Sequence, residues 1–212
     1  MHTMQHTTVP STQSRADAVP SRRWRVVDIV VASVVGVALG VVFLVWGAAY
    51  EGLSAPVKAV LPGAQSFVAA PFLLGAVLGG LLIRKPGAAI YVELLAAAVS
   101  ALLGSQWGLL TLASGLVQGV GAEIVFAIFL YRAWRLPAAW LAGAGAGLAL
   151  AVFELFVYYP GSTALFATLY VVGAVVGGAF VAGTLSWLAV RALARTGALH
   201  RFAAGRDTAE LV

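Results

Sequence analysis

VVDIVVASVVGVALGVVFLVWGAAY, residues 26–50, holds a single charged side chain, Asp28, in a run that is otherwise apolar or small. About 20 mostly apolar residues suffice to cross the hydrocarbon of a bilayer as a helix. Five further runs follow it. They cover residues 67–83, 88–103, 109–131, 137–158 and 164–195. The predicted fold is therefore all-α: a polytopic membrane protein built as a bundle of six transmembrane helices. The second and third runs are short for a span. The sixth is long and carries a basic, polar end that should project beyond the membrane.

The breaks between runs have chemical causes. Arg84-Lys85-Pro86-Gly87 and Arg132-Ala133-Trp134-Arg135-Leu136-Pro137 each place charge before a proline suited to a helix start. Gly104-Ser105-Gln106-Trp107-Gly108 is a polar turn bracketed by glycine, and Tyr158-Tyr159-Pro160-Gly161 puts interfacial aromatics before a turn. Residues 51–66, with Pro56 and Pro62, are too polar to span and are expected to form a lid over one mouth of the bundle.

Composition agrees. Of the 212 residues 61% are hydrophobic and only 10% charged. Soluble domains carry about 25% charged residues, so a water-facing globule, a disordered chain and a DNA-binding domain are excluded. The basic balance (pI ≈ 10.0) comes from topology instead. With the N-terminus in the cytoplasm, twelve of the thirteen Lys and Arg residues fall on the cytoplasmic side and only Lys58 falls outside. The positive-inside rule then places both termini in the cytoplasm of a multi-pass plasma-membrane protein that binds no nucleic acid. Residues 1–23 read as a flexible polar tail rather than a signal peptide, 24–195 as the membrane domain and 196–212 as a second cytoplasmic tail.

Several chemistries lack their residues. There is no cysteine, and neither lysine lies in a phosphate-cradling loop. The three histidines, His2, His6 and His200, lie outside the spans. Nothing calls for a metal, a cofactor or an enzymatic mechanism. The chain reads as a binding part that obtains its energy elsewhere.

Ionisable groups in hydrocarbon face the bundle interior. Those within the spans are Asp28, which Arg22 to Arg25 can neutralise, and Glu93, Glu123 and Glu154, with Gln118 beside them in character. Glu154 and Tyr158 are four apart on one helical face opening outward. The carboxylate either serves a ligand or is satisfied by a hydroxyl of the fourth or sixth helix. Gln118 lies near mid-membrane below Thr111 and Ser114, with Gln106 and Trp107 at the head of that polar stripe. Glu123 stands roughly 140° away around the same helix and is either a deep ligand or an internal ion-pair partner. Glu93 is expected to pair with Arg84, Arg132 or a backbone group. The aromatics Trp46, Tyr50, Trp107, Tyr158, Tyr159 and Tyr170 form an interfacial belt or a stacking cage. A carboxylate beside aromatic faces suits a planar ligand that is cationic or amidine-bearing. Gln106, Trp107, Gln118, Glu154 and Tyr158, with Glu123 as floor, are the predicted binding residues. Small residues recur four apart, and Ala32, Gly36 and Gly40 form a smooth stripe on the first helix.

The runs RKPGAAIYVELLAAAVSALLGSQWG (84–108), GLVQGVGAEIVFAIFLYRAW (115–134) and WRVVDIVVASVVGVALGVVFLVW (24–46) resemble the YkoE family, and the resemblance extends over residues 24–195. These are substrate-binding S components of energy-coupling-factor (ECF) ABC transporters assigned to thiamine and its precursor hydroxymethylpyrimidine. The resemblance implies a six-helix S component that captures one of those ligands from outside. It implies docking on a transmembrane coupling protein bound to two ATPase subunits, with Ala32, Gly36 and Gly40 at the contact. The alanine-rich form of that stripe, common among S components, is partly replaced by glycine here.

Overall fold

The computed structural model describes residues 23–196, all helix and turn without strands. Apart from Arg23 and Thr196, the two polar tails expected from the sequence lie outside the described residues. Helix α1 (Val26–Val60) is followed by a 3₁₀ segment (Ala64–Leu73) that runs straight into α2 (Leu74–Ile83). Then come α3 (Ala88–Leu102), α4 (Leu110–Ile128) and α5 (Leu136–Val157). A last continuous span comprises α6 (Ala164–Val176), a π-helical segment (Gly177–Gly183) and α7 (Thr184–Arg195). Five of these spans are long and apolar enough to cross a bilayer, and α3 is a shorter apolar helix of 15 residues. The chain thus threads back and forth six times. The start of α1, the turns at 84–87 and 129–135 and the end of α7 lie at one end, called here the terminal end. The turns at 61–63, 103–109 and 158–163 lie at the other, the distal end.

The outward faces are Val, Leu, Ile and Phe, as at Val34, Val45, Leu102 and Phe156, which suits a lipid surround. The interior is dominated by Ala and Gly, with α2 at the centre. From Gly75 to Ile83 every residue of α2 is buried.

The lid expected over residues 51–66 is absent. Helix α1 continues to Val60, so Glu51 to Val60 form its overhang, and only 61–63 turn. Pro56 removes the amide that would bond the Gly52 carbonyl, but Gly52 is exposed and solvent can serve that oxygen. Glu51 and Lys58 pair on this overhang at 2.8 Å. Residues expected to be lid therefore begin the second span instead. A ten-residue 3₁₀ run is long for that geometry. Rising about 2 Å per residue against 1.5 Å in an α-helix, it lets 20 residues reach across roughly 35 Å.

The stripe Ala32, Gly36 and Gly40, expected to receive a partner protein, is turned inward. Ala32 is 0% exposed. A Cβ at Gly36 would stand 2.9 Å from Leu95 Cδ2, and one at Gly40 would stand 2.5 Å from Val99 Cβ and 2.8 Å from the Ala96 carbonyl. All three neighbours are on α3. Helices α1 and α3 run side by side, with paired residues 57, 58 and 59 apart at Asp28–Lys85, Ser33–Tyr91 and Gly47–Gln106. Small residues let these two backbones approach closely, so the stripe is consumed inside the bundle. Glycines also carry the contact of α5 with the last span. A Cβ at Gly143 would overlap the Gly178 carbonyl, and one at Gly147 the Ala174 carbonyl.

Charges at the terminal end are tied down. Asp28, fully buried, accepts from the Arg25 amide (2.8 Å), from Arg25 Nη2 (2.9 Å) and from Lys85 Nζ. Trp24 Nε1 donates to Pro86 O at 2.9 Å. Glu123, one of the residues expected to floor the binding site, belongs to this end. Its Oε1 accepts from the Gly87 amide (2.7 Å) and the Tyr131 hydroxyl (2.7 Å), and its Oε2 from the Ala89 amide (3.0 Å). It caps the N-terminus of α3, where the first amides have no intrahelical acceptor. This corrects its expected role.

Two consequences are measurable by thermal unfolding in detergent. Gly40→Ala and Gly143→Ala should each destabilise by roughly 1–3 kcal/mol through overpacking against backbone, whereas Gly52→Ala, with nothing within 4 Å, should not. Glu123→Ala, which strips the cap from α3, should destabilise by about 1–3 kcal/mol, and Tyr131→Phe by about 1 kcal/mol.

Candidate functional site

Between α1, the 3₁₀ segment, α3, α4 and α5 lies an open cavity of about 510 Å³. On α3 its wall runs from Glu93 to Ser100, and on α4 from Gln118 to Thr111. Each stretch runs seven residue-to-residue steps, so the cavity is about 10 Å deep along the helices. Ser105, Trp107 and Tyr158 surround the mouth at the distal end, and Glu93 and Gln118 form the floor.

The floor is built from a helix discontinuity. Phe72 is the last residue but one of the 3₁₀ segment and Ala76 the third of α2, and in a regular α-helix the Ala76 amide would bond the Phe72 carbonyl. Here Glu93 Oε2 accepts from the Ala76 amide at 2.6 Å. The Phe72 carbonyl can only accept, which orients the Gln118 carboxamide with its nitrogen inward. Gln118 Nε2 donates to Phe72 O (2.9 Å) and to Glu93 Oε1 (2.9 Å), while its oxygen accepts from Ser114 Oγ (2.8 Å). Glu93 is 1% exposed. It pairs with a backbone group, as one of its expected alternatives had it, and not with Arg84 or Arg132. One glycine makes room for its carboxylate and another for its helix. A Cβ at Gly75 would stand 2.6 Å from its Oε2, and one at Gly115 2.6 Å from Ala97 Cβ.

One wall is aromatic. Trp107 meets Phe72 edge to face at 5.4 Å and Tyr50 at 5.7 Å, and Phe43 meets Phe72 at 5.8 Å. Trp107 can lie against α1 because position 47 is glycine, whose hypothetical Cβ would already be 3.1 Å from the indole. Gln106 does not border the cavity. Its Nε2 donates to the Gly47 carbonyl at 3.1 Å and fixes the turn that carries Trp107.

The opposite wall holds Glu154 of α5 and Tyr158, the residue that follows that helix. Gly121 of α4 meets Gly145 and Ala149 of α5, so Glu154 stands nearer the mouth than Gln118. Tyr170 of α6 donates its hydroxyl to Glu154 Oε2 at 2.5 Å, the sixth-helix hydroxyl that the sequence allowed for. No hydrogen bond reaches Oε1 from the described residues. Tyr170 is itself held, its carbonyl accepting from Ser66 Oγ at 2.7 Å and its ring packing with Phe166 and Tyr159. Of the outer aromatics, Trp46 is engaged elsewhere, donating to Val68 O at 3.0 Å.

Of the residues predicted to bind, the structure brings Trp107, Gln118, Glu154 and Tyr158 to one cavity and leaves Gln106 and Glu123 outside it. It adds Phe43, Phe72, Glu93 and Ser100. The serine had a signal, since Ser100 follows Glu93 by seven residues, two turns along one face. Phe43 and Phe72 had none, because apolar residues in apolar helices do not announce which neighbour they meet.

Residues 27–149 match the family described as ABC-type cobalt transport system, permease component. The chain is 34% identical to "Putative HMP/thiamine permease protein YkoE" of Bacillus subtilis (strain 168) over 194 residues, 88% of this chain and 92% of that protein. It superposes on a crystal structure of an S component of an ECF transporter with a TM-score of 0.81 and 32% identity, covering 89% of this chain and 94% of the other. These relatives are membrane transport proteins, not enzymes. On six spans, a glycine-packed interior and similarity along nearly its whole length, the chain belongs to the YkoE family of ECF-transporter S components.

Proposed function

We propose that this protein captures hydroxymethylpyrimidine and/or thiamine from outside the cell for an ECF-type ABC importer. It passes the ligand on through a transmembrane coupling protein driven by two separate ATPase subunits. The observation that carries the reading is Glu154. This carboxylate stands in the cavity with one oxygen held by Tyr170 and no hydrogen-bond partner for the other among the described residues, facing a wall that includes Phe72 and Trp107. A flat heterocycle is stacked by such a wall, and a permanent cation or an amidine-like edge satisfies the carboxylate. The aminopyrimidine ring offers adjacent ring nitrogen and amino groups, and thiamine adds a cationic thiazolium. The name carried by the Bacillus relative supports the same ligand class.

The family description names cobalt, but the donors here favour an organic ligand. Transition-metal sites gather several imidazole, thiolate or carboxylate ligands, and among the described residues no group of three or more His, Cys, Asp or Glu comes together. The energy source is external because the chain has no phosphate-cradling loop. The cavity opens at the distal end, and the cations Arg25, Arg84, Lys85, Arg132, Arg135, Arg191 and Arg195 gather at the terminal end, with Lys58 opposite. The positive-inside rule makes the terminal end cytoplasmic and the cavity mouth external.

The orientation is testable directly, since the chain has no cysteine. In intact cells a membrane-impermeant maleimide should label Ala59→Cys and not Arg132→Cys, and the reverse pattern would invert the topology. The ligand is tested by calorimetric titration of the purified protein with thiamine and with hydroxymethylpyrimidine. Glu154→Gln should weaken thiamine by about 1–3 kcal/mol while affecting the uncharged precursor less. Trp107→Ala should weaken both by roughly 1 kcal/mol or more, because stacking acts on the ring they share. Wild-type protein that binds neither ligand overturns the reading.

A further inference from the structure

Ser100 is a polar group on the α3 wall of the cavity that the fold leaves unexplained. It is 2% exposed, on α3, and its side chain borders the cavity two turns nearer the mouth than Glu93. The other hydroxyls of that wall are engaged. Ser105 Oγ and Thr111 Oγ1 lie 3.1 Å apart, and Ser114 serves Gln118. Ser33, on α1, shows what a helical serine ordinarily does, returning its hydroxyl to the carbonyl four residues back at 2.8 Å. Ser100 does not do this, and no hydrogen bond to its hydroxyl comes from the described residues. No buried side-chain oxygen or nitrogen among the described residues lacks a hydrogen-bond partner, so this hydroxyl is open to the cavity. The group is therefore explained by what the cavity receives.

We propose that Ser100 is a ligand-contacting residue, and that its hydroxyl bonds the nitrogen-bearing edge of the pyrimidine ring common to both candidate ligands. The assignment rests on the substrate reading above. A hydroxyl donates and accepts at once, which matches a ring nitrogen beside an amino group. It is neutral, so it serves the shared ring and not the thiazolium charge, which falls to Glu154. Ligand contact is thereby divided between α3, which grips the ring, and α5, which senses charge.

The experiment compares wild-type protein, Ser100→Ala and Ser100→Cys, each as the full chain in detergent, by thermal unfolding without ligand and by titration with each ligand. Both variants should retain or exceed the wild-type melting temperature, because an unpaired polar group has been removed. Both should bind hydroxymethylpyrimidine and thiamine more weakly by similar factors, roughly 5- to 50-fold. A lowered melting temperature with affinity retained makes Ser100 structural and overturns the proposal. So do unchanged affinities in variants whose wild type binds normally, or a loss confined to one of the two ligands. Wild-type protein that binds neither ligand removes the substrate reading, and this assignment with it.

Discussion

At the middle of the second span a backbone amide, Ala76, and a backbone carbonyl, Phe72, are each held by a side chain from a neighbouring helix, and those side chains hold each other. In hydrocarbon an unsatisfied backbone group costs several kcal/mol. A change from 3₁₀ to α geometry at that depth therefore needs partners brought to it. Glu93 and Gln118 supply them, and in doing so pin α3 and α4 to the most buried helix of the bundle. Gly75 and Gly115 follow from the same requirement, since a side chain at either would displace the carboxylate or its helix. The floor of the cavity and the joint that holds the bundle together are the same four groups.

Close approach of backbones is the second constraint. Without a hydrophobic driving force between helices, contact in a membrane comes from packing, and small residues allow it. Gly36 and Gly40 of α1 meet α3, and Gly143 and Gly147 of α5 meet the last span. Where α5 ends, aromatic residues of α6 take over, and Tyr159, Phe166 and Tyr170 form the cluster that presents the Tyr170 hydroxyl to Glu154. The last span keeps its glycines against α5 and the 3₁₀ segment by widening to a π-helix at Gly177–Gly183.

The four carboxylates of the spans divide by what satisfies them. Asp28 is neutralised by Arg25 and Lys85. Glu123 is filled by two amides and a phenol at the start of α3, and Glu93 by an amide and a carboxamide. Each closes a gap in the backbone or a charge at a helix end. Glu154 is different, because its described partner is one neutral hydroxyl and it looks into a cavity. The separation between structural and ligand-facing acids comes from these surroundings, since all four are equally costly by composition.

Much was legible in the sequence. Hydropathy and the charged, proline-containing breaks placed six spans, with α3, α5 and the last span within a residue or two of their observed ends. The spacing of Thr111, Ser114 and Gln118 put them on one wall, and Glu154 and Tyr158 on another. Three things were not legible. Helix α1 continues through Pro56 because the carbonyl it strands is exposed. Ala32, Gly36 and Gly40 meet α3 rather than an outside partner. Glu123 reaches the turn before α3. A helical period states which residues share a face, since 3.6 residues per turn is a property of one chain segment. It does not state which element that face meets, because the order of helices around a bundle is set by contacts between segments far apart in the sequence.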